Sequence, residues 1–225
     1  MPCASRYCGH LCRSSLRSSW VAQRKALWLL TSLRSKRAHT PLLQRHDLKI
    51  QLDRRIKIAK ARNYLLNSSL KAHHTHVLHV DSDLFSFPPN IVEDLLAIDT
   101  DVVVPMCVQQ TNEKLYDLNS WAETSDSLKY LESLPADLPI FEGYSTTSRM
   151  RIDKLIEKNN NRPVELDAVG GTMILAKAFV HRTIGDESFP ESLTSHHTVE
   201  TEGFAQVAKE NGFVVLGTSY KVFHA

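Results

Sequence analysis

Apolar residues recur at helical spacing in the stretch from residue 51 to residue 70. Their positions fall on one face of an α-helix: Leu52, Ile56, Ala59, Leu66 and Leu70. Arg and Lys residues occupy the other faces, which is the pattern of an amphipathic helix that packs on a core. The sequence therefore predicts a helix here, with most of its basic side chains in solvent.

Further along the chain, short apolar runs alternate with helical patterns. Strands are predicted at residues 77–80, 101–105, 164–166, 172–175 and 213–216. Helices are predicted at residues 89–97, 124–134, 176–182 and 200–211, and residues 135–161 are predicted to be rich in loops. This alternation predicts an α/β fold with a mainly parallel sheet, in which ligands bind at the carboxyl ends of the strands.

One of these strand ends carries two carboxylates, because the strand at residues 77–80 runs directly into Asp81-Ser82-Asp83. In an extended chain Asp81 and Asp83 point to the same side, so that together they can hold one divalent cation. Carboxylate oxygens suit Mg²⁺ or Mn²⁺. The motif is short and common, and a polar turn with solvated aspartates is the alternative interpretation.

Composition divides the chain into two parts. The 225 residues are 42% hydrophobic, which suits one globular domain or a domain with a tail. The net charge of +2 does not indicate a nucleic-acid partner. Residues 1–46 contain no Asp or Glu, and residues 1–40 are rich in Ser, Arg and Leu. This segment is typical of a mitochondrial presequence, a disordered basic tail, or an N-terminus that is not the natural start of the domain, and the last interpretation is favoured.

Six motifs occur in an order that is typical of one enzyme family. They are the helix motif at residues 54–66, Val80-Asp81-Ser82-Asp83, Tyr116-Asp117-Leu118-Asn119-Ser120-Trp121, Val169-Gly170-Gly171-Thr172, Glu200-Thr201-Glu202-Gly203-Phe204 and Tyr220-Lys221-Val222-Phe223-His224. Over residues 44–225 the chain resembles the fungal mannan polymerase family, glycosyltransferase family 62. The resemblance implies a GT-A-like glycosyltransferase domain at residues 44–225, after a basic tail at residues 1–43 that is expected to be disordered.

Members of this family are Golgi mannosyltransferases. The resemblance implies transfer of mannose from GDP-mannose to a mannan or N-glycan acceptor in protein glycosylation, with retention of the anomeric configuration. It also implies a divalent metal ion, Mn²⁺ or Mg²⁺, a Golgi location and assembly with other family subunits. The alternative function is that of a non-catalytic subunit of a mannosyltransferase complex. A metal-dependent hydrolase of phosphoesters or sugars is a third interpretation, which only the D-x-D motif supports.

The resemblance assigns the metal site to three residues. Asp83, together with Asp81, is expected to hold the cation that neutralises the diphosphate leaving group. His224 resembles the C-terminal histidine that completes the metal site in such folds, and a neutral imidazole suits Mn²⁺. Asp81 has an alternative role, in which it accepts hydrogen bonds from the nucleotide ribose.

Other motif residues are expected to bind the nucleotide sugar. Arg62 and Arg55, and after them Arg54, suit the diphosphate, because a guanidinium group matches phosphate oxygens. Gly170 and Gly171 allow the backbone to approach the sugar or the metal site closely, or they form only a tight turn. Trp121 offers an aromatic face to the sugar, or else it anchors the core.

Three carboxylates are the candidates for catalysis. Asp117, Glu200 and Glu202 are expected to orient sugar hydroxyl groups or to stabilise an oxocarbenium-like centre. Such roles place a carboxylate beside the bond that breaks, where positive charge develops on the sugar.

The N-terminal region departs from the family pattern. Before the basic helix, family members carry the first sheet strands, part of the nucleotide pocket and a transmembrane anchor. Residues 1–43 show no strand–helix–strand pattern and no apolar run near the ~20 residues that a membrane span needs. The sequence therefore predicts a domain that is N-terminally truncated or altered, that lacks the first strands and that carries no membrane anchor.

Overall fold

The computed structural model describes residues 26–31, 48–135, 138, 140, 147–190 and 198–225. Its strands are β1 (Ala26–Thr31), β2 (His76–Asp81), β3 (Leu84–Ser86), β4 (Val102–Gln109), β5 (Trp121–Ala122), β6 (Met150–Arg151), β7 (Val164–Glu165), β8 (Met173–Lys177) and β9 (Val215–His224). Its helices are α1 (Leu48–Ser69), α2 (Ile91–Ala97), α3 (Ser125–Glu132), α4 (Ile152–Lys158), α5 (Ala178–Ile184) and α6 (Glu200–Glu210). Helices and strands alternate along the chain, which confirms the predicted α/β fold.

The central sheet is mixed, and the prediction of a mainly parallel sheet is wrong. In the described residues its strand order is β1-β2-β8-β4-β9-β3, with β7 paired to β9 off this path. The pairs β1–β2 and β4–β9 are parallel, and the other pairs are antiparallel. β8 lies between β2 and β4 and runs opposite to both, so β1, β2, β4 and β9 all point the same way. Their carboxyl ends therefore meet at one edge of the sheet.

β1 lies inside residues 1–43, which the sequence pattern predicts to be a disordered tail. It pairs in parallel with β2, from Ala26 opposite His76 to Thr31 opposite Asp81. The prediction of a tail is therefore wrong for residues 26–31, where the sheet gains an edge strand. Residues 1–25 and 32–47 fall outside the described part of the chain.

Helix α1 confirms the helix predicted at residues 51–70. Ala59 and Leu66 are buried, as the apolar pattern predicts. The helix also buries Arg62 and Asn63, which share this face because they lie three or four residues from Ala59 and Leu66. Buried polar groups need partners, so this face of α1 carries part of the site as well as part of the core. Although α1 has 22 residues, no helix in the described ranges is long and apolar enough to cross a membrane.

The core lies on both faces of the sheet, because neighbouring residues of a strand point to opposite faces. In β4, Val102 and Val104 join the larger apolar cluster, to which α4 and α6 also contribute. Val103, between them, joins the second cluster with residues of α2. Helices thus cover both faces of the sheet, and the side chains that carry chemistry gather at the strand ends.

Residues 147–161 hold more regular structure than the predicted loop. β6 and α4 occupy Met150–Arg151 and Ile152–Lys158. α4 buries Ile152 and Ile156, which lie one helical turn apart. The helix has only seven residues, so its apolar spacing is too short to stand out along the sequence.

β9 is longer than predicted and contains an irregularity opposite Pro105. β4 and β9 pair in parallel, and Pro105 lies opposite Thr218. The next residue, Met106, lies opposite Lys221, so the register shifts at this point. Proline has no N–H to donate to the ladder, which accounts for a break at this position. After the shift the strands pair up to His224.

A pair of histidines is buried in the core beside α1. The Nε2 atoms of His79 and His181 lie 3.3 Å apart, so one donates a hydrogen bond to the other according to their tautomers. Both side chains are almost fully buried, and His181 stacks on Phe204. Burial lowers the pKa of His181 to about 3. Burial, followed by the charges of His181 and Arg62, lowers the pKa of His79 well below its usual value.

We expect the folded protein to lose stability as the pH falls from about 6.5 toward 3, because the buried histidines resist protonation. The unfolded chain binds a proton at His181 near pH ~6.5, whereas the folded chain does so only near pH 3. Over this window His181 lowers the free energy of unfolding by about 1.4 kcal/mol for each unit by which the pH falls, and His79 acts in the same direction. Urea titrations at several pH values should therefore show a shallower slope for His181→Phe than for the unsubstituted protein.

The exposed Leu128 provides the control, because Leu128→Phe adds a ring without changing a titratable group and should leave the pH slope unchanged. Asp81 titrates in the same range with the opposite sign, since burial raises its pKa to about 6 and the folded state takes up its proton first. Because Asp81 is present in every variant, the test compares the pH slope of the free energy of unfolding between variants. Equal slopes for the unsubstituted protein and His181→Phe would contradict the prediction.

Candidate active site at the strand ends

The side chains of the predicted site converge at the edge of the sheet where β2 and β9 end. β2 ends at Asp81 and β9 ends at His224. Gly171 and Thr172 lie directly before β8, which begins at this edge because it runs in the opposite direction. The backbone N–H of Asp81 donates a 3.0 Å hydrogen bond to the carbonyl oxygen of Thr172. This bond joins the D-x-D motif to the glycine motif.

Arg62 of α1 reaches the first aspartate of the D-x-D motif. Its Nη2 atom donates a 2.7 Å hydrogen bond to Asp81 Oδ1 and a 3.3 Å hydrogen bond to the carbonyl oxygen of Gly171. The guanidinium group is buried, and its Nε and Nη1 atoms have no hydrogen-bond partner among the described residues. Burial raises the pKa of Asp81 to about 6 against the lowering effect of Arg62, and nearby carboxylates raise it further.

Arg55 lies two turns earlier on α1 and pairs with a different carboxylate. Its Nη1 atom is 3.2 Å from Oε1 of Glu200, the first residue of α6. Glu200 is buried, and its Oε2 atom has no hydrogen-bond partner in the described part of the chain. Burial alone would lower the pKa of Arg55, but Glu200, Glu202 and Asp117 raise it above its usual value. α1 thus directs two arginines toward one group of carboxylates.

Asp117 is held against the glycine motif. Its Oδ2 atom accepts a 2.9 Å hydrogen bond from the hydroxyl group of Thr172. A Cβ atom at Gly170 would lie only 1.9 Å from Asp117 Oδ2, and a Cβ atom at Gly171 would lie 2.6 Å from Arg62 Nη2. The two glycines therefore let charged side chains of the site approach the backbone closely.

Asp83 and His224 form the part of the site that suits a metal ion. His224 Nε2 lies 3.6 Å from Asp83 Oδ2. The Asp83 side chain is 74% exposed, so it can turn toward a cation. One carboxylate and one imidazole are donors that Mn²⁺ accepts, and the remaining positions can be filled by substrate oxygens and water. These two residues therefore fit a divalent ion.

Asp81 is not assembled with this pair into a site of three ligands. In the described residues no three His, Cys, Asp or Glu side chains lie close enough to hold one ion. Asp81 instead forms an ion pair with Arg62 through Oδ1. Of the predicted set of Asp81, Asp83 and His224, the structure thus places Asp83 beside His224 and pairs Asp81 with Arg62.

Glu202 and Trp121 are placed in the core. Glu202 Oε1 accepts a 3.1 Å hydrogen bond from Trp121 Nε1, and Oε2 accepts a 2.8 Å hydrogen bond from the backbone N–H of Val199. Both residues are 0% exposed, and the guanidinium carbon of Arg149 lies 3.6 Å from the centre of the Trp121 ring. Trp121 therefore has the alternative role of a core anchor and does not present a face to a sugar. Glu202 holds the start of α6 instead of a substrate.

The sequence of this chain matches a known protein family over most of its length. The sequence model of the Anp1 family matches residues 25–190, which is more than half of the 225 residues. This chain belongs to the Anp1 family. The match begins one residue before β1, so the Anp1-family region reaches into the segment predicted to be a tail.

Curated relatives of this Anp1-family chain carry the names of mannan polymerase complex subunits. Identity is 38% over 188 residues with the mannan polymerase complex subunit mnn9 of Schizosaccharomyces pombe, covering 80% of this chain and 55% of the relative. Identity is 35% over 190 residues with the mannan polymerase I complex VAN1 subunit of Saccharomyces cerevisiae, covering 80% of this chain and 35% of the relative. The predicted membership of the fungal mannan polymerase family is thus confirmed. The chain spans between about a third and about half of the length of these relatives.

A solved structure shows a weaker likeness to this Anp1-family chain. The crystal structure of GalNAc-T7 with UDP, GalNAc and Mn²⁺ aligns with a TM-score of 0.48 and 13% identity, over 74% of this chain and 30% of that chain. The family assignment rests on the sequence relatives and not on this likeness.

Three residues shape the site of the Anp1-family chain without having been predicted to do so. Thr172 holds Asp117, and Tyr116 stacks on His224. Asn63 donates a 2.8 Å hydrogen bond to the carbonyl oxygen of the phenylalanine at position 189 and accepts a 2.9 Å hydrogen bond from its N–H. All three residues lie inside the family motifs, and Asn63 also has the spacing of the buried face of α1.

Proposed function

We propose that this chain acts as a metal-dependent mannosyltransferase of the GT-A type. In the proposed reaction it moves mannose from GDP-mannose to a mannan or N-glycan acceptor, with retention of the anomeric configuration, during protein glycosylation in the Golgi. The observation that supports this most is the pair of Asp83 and His224 beside the ion pair of Arg62 and Asp81. Such an arrangement offers a cation site next to an anion site, as a sugar diphosphate requires.

Asp83 and His224 are proposed to hold the divalent ion, Mn²⁺ or Mg²⁺. When bound, the ion would act as a Lewis acid that offsets the negative charge of the diphosphate leaving group. Asp83 supplies a carboxylate from an exposed position, and His224 supplies a neutral nitrogen from a mostly buried one. Both groups bind a cation only when they are unprotonated, so metal binding is expected to weaken at acidic pH.

Arg62 and Arg55 are proposed to bind the diphosphate oxygens. Arg62 Nε and Nη1 and Arg55 Nε have no hydrogen-bond partner among the described residues, and guanidinium donors match phosphate oxygens. The ion pairs with Asp81 and Glu200 hold both arginine side chains against this group of carboxylates. Asp81 is proposed to accept a hydrogen bond from the nucleotide ribose in addition.

Asp117 and Glu200 are proposed to face the mannosyl group. The unpartnered Oε2 atom of Glu200 can accept a hydrogen bond from a sugar hydroxyl group. Asp117 is oriented by its hydrogen bond from Thr172, so its charge is fixed where an oxocarbenium-like centre can form. Glu202 and Trp121 support this arrangement from the core through the hydrogen bond between them.

Asp83→Asn tests the proposed metal site. Calorimetry is expected to show that GDP binds the unsubstituted protein only with Mn²⁺, and that Asp83→Asn weakens this binding at least about tenfold, because a charged ligand is lost. Asp126→Asn is the matched control, since the Asp126 side chain is 78% exposed on α3, where its ion-pair partner is Lys129 of the same helix. This control is expected to bind GDP like the unsubstituted protein. If GDP bound neither with nor without Mn²⁺, the proposal would be overturned.

A non-catalytic subunit of a mannosyltransferase complex is the second candidate function. The names of the relatives favour it, since they describe subunits of polymerase complexes. We propose other family subunits as the partners in either case. Copurification with such a partner, followed by a transfer assay, separates the two candidates. Transfer that is unchanged by Asp83→Asn in the complex would support the non-catalytic role, and its loss would support the catalytic one.

A further inference from the structure

The backbone of His224 is fixed by strands on both sides. β9 lies between β4 and β3, and His224 is opposite Gln109 in β4 and opposite Leu84 in β3. The His224 carbonyl oxygen also accepts a 2.9 Å hydrogen bond from the backbone N–H of Gln110. The position of the imidazole ring is therefore decided by the two side-chain torsions of His224 alone.

The ring of Tyr116 covers one face of the His224 ring. The ring centres are 3.7 Å apart and the ring planes differ by 11°, which is a parallel stack. Tyr116 is itself anchored, because its backbone N–H donates a 2.8 Å hydrogen bond to the carbonyl oxygen of Cys107. In this orientation the Nε2 atom of His224 lies 3.6 Å from Asp83 Oδ2.

We propose that Tyr116 is a positioning residue, whose ring holds the His224 imidazole in the orientation needed to bind a divalent cation together with Asp83. This inference rests on the proposed metal site. A planar ring stacked at van der Waals distance restricts rotation of the imidazole, so binding of a cation costs less side-chain entropy. Tyr116 is 43% exposed, so its replacement should disturb the core little.

Titration of the full chain with Mn²⁺, followed by electron paramagnetic resonance, tests the role without any transfer assay. Tyr116→Ala is expected to raise the Kd for Mn²⁺ about tenfold, because a metal ligand loses the neighbour that orients it. Tyr116→Phe keeps the planar ring and should stay within about threefold of the unsubstituted protein. Tyr130→Ala is the control, since Tyr130 is 37% exposed on α3 and should not influence the Kd.

Equal Mn²⁺ affinities of the unsubstituted protein and Tyr116→Ala would overturn the positioning role and leave the metal site standing. A loss in Tyr116→Phe as large as in Tyr116→Ala would also overturn it, because the hydroxyl group and not the ring would then matter. If Tyr116→Ala does not fold, Tyr116→Leu gives the same comparison with a larger, non-planar side chain. Mn²⁺ binding that is unaffected by His224→Ala would instead overturn the proposed metal site itself.

Discussion

Arg62→Met is expected to lower the free energy of unfolding by about 2 to 4 kcal/mol and to weaken Mn²⁺-dependent GDP binding at least about tenfold. The substitution removes the cation that lowers the pKa of Asp81, while the surrounding carboxylates remain. The pKa of Asp81 should therefore rise further above about 6, and Asp81 should be protonated over more of the neutral pH range. The same change removes the buried donors that are proposed to meet the diphosphate.

Urea denaturation and calorimetry measure the two effects of Arg62→Met separately. Lys57→Met is the matched control, because Lys57 is exposed on the same helix and should change neither quantity appreciably. Arg62→Lys keeps the charge but not the planar fork, so it should recover more of the stability than of the GDP affinity. If Arg62→Met and Lys57→Met had the same free energy of unfolding, the buried ion pair would not stabilise the fold.

Gly170→Ala is expected to slow mannose transfer about 100-fold, because it displaces a proposed catalytic carboxylate. The new Cβ atom would lie 1.9 Å from Asp117 Oδ2 and 2.2 Å from its Cγ, so the carboxylate must move away. That movement breaks the 2.9 Å hydrogen bond from the Thr172 hydroxyl group. The free energy of unfolding should fall by only about 1 to 3 kcal/mol, the usual range for one added methyl group in a packed site.

Gly217→Ala separates the effect on the site from the effect on stability. A Cβ atom at Gly217 would lie 2.6 Å from Cδ1 of Ile152 and 2.9 Å from Cδ1 of Leu166, which are core atoms. This control should lose a similar amount of stability and keep most of its transfer rate. Initial-rate assays and urea titrations of both variants make the comparison. Equal losses of transfer in Gly170→Ala and Gly217→Ala would show that Asp117 is not displaced from a catalytic position.

Much of the candidate site was predictable, because its residues belong to apolar runs and periods that are visible along the sequence. Asp81 and Asp83 follow an apolar run, and the helix that carries Arg55 and Arg62 has a clear apolar period. The structure places these residues at one edge of the sheet. Which arginine meets which carboxylate was not predictable, since the pairs Arg62–Asp81 and Arg55–Glu200 join distant segments of the chain.

The arrangement of the sheet was less predictable, because an apolar run has the same pattern in either strand direction. The run at β8 predicts a buried strand, but its antiparallel course between β2 and β4 depends on contacts far apart in the sequence. β1 is a run of only six residues inside a Ser/Arg-rich segment, and its partner is 50 residues away, from Ala26 to His76. Propensity alone therefore favoured a tail at β1.

The core position of Glu202 could have been predicted from where Glu202 lies in its helix. Residues two apart on a helix do not face the same side, so the helix predicted at residues 200–211 separates the side chains of Glu200 and Glu202. A glutamate at the third position of a helix is also typical of a capping interaction, which the bond from the Val199 N–H confirms. Burial of Trp121 was not visible in this way, because it depends on Arg149, which stacks on the ring from another part of the chain.

The register shift opposite Pro105 determines how far β9 extends. Two residues of β9, Ser219 and Tyr220, have no opposite residue in β4, because the shift falls between Pro105 and Met106. Side chains of a strand alternate between its two faces with a period of two residues. A shift of two residues therefore leaves each later side chain of β9 on the same face as in an unshifted ladder. In an unbroken ladder His224 would instead extend about 6–7 Å beyond the end of β4. The two unpaired residues thus shorten the paired length of β9, so that the His224 imidazole lies level with the carboxylates at the edge of the sheet.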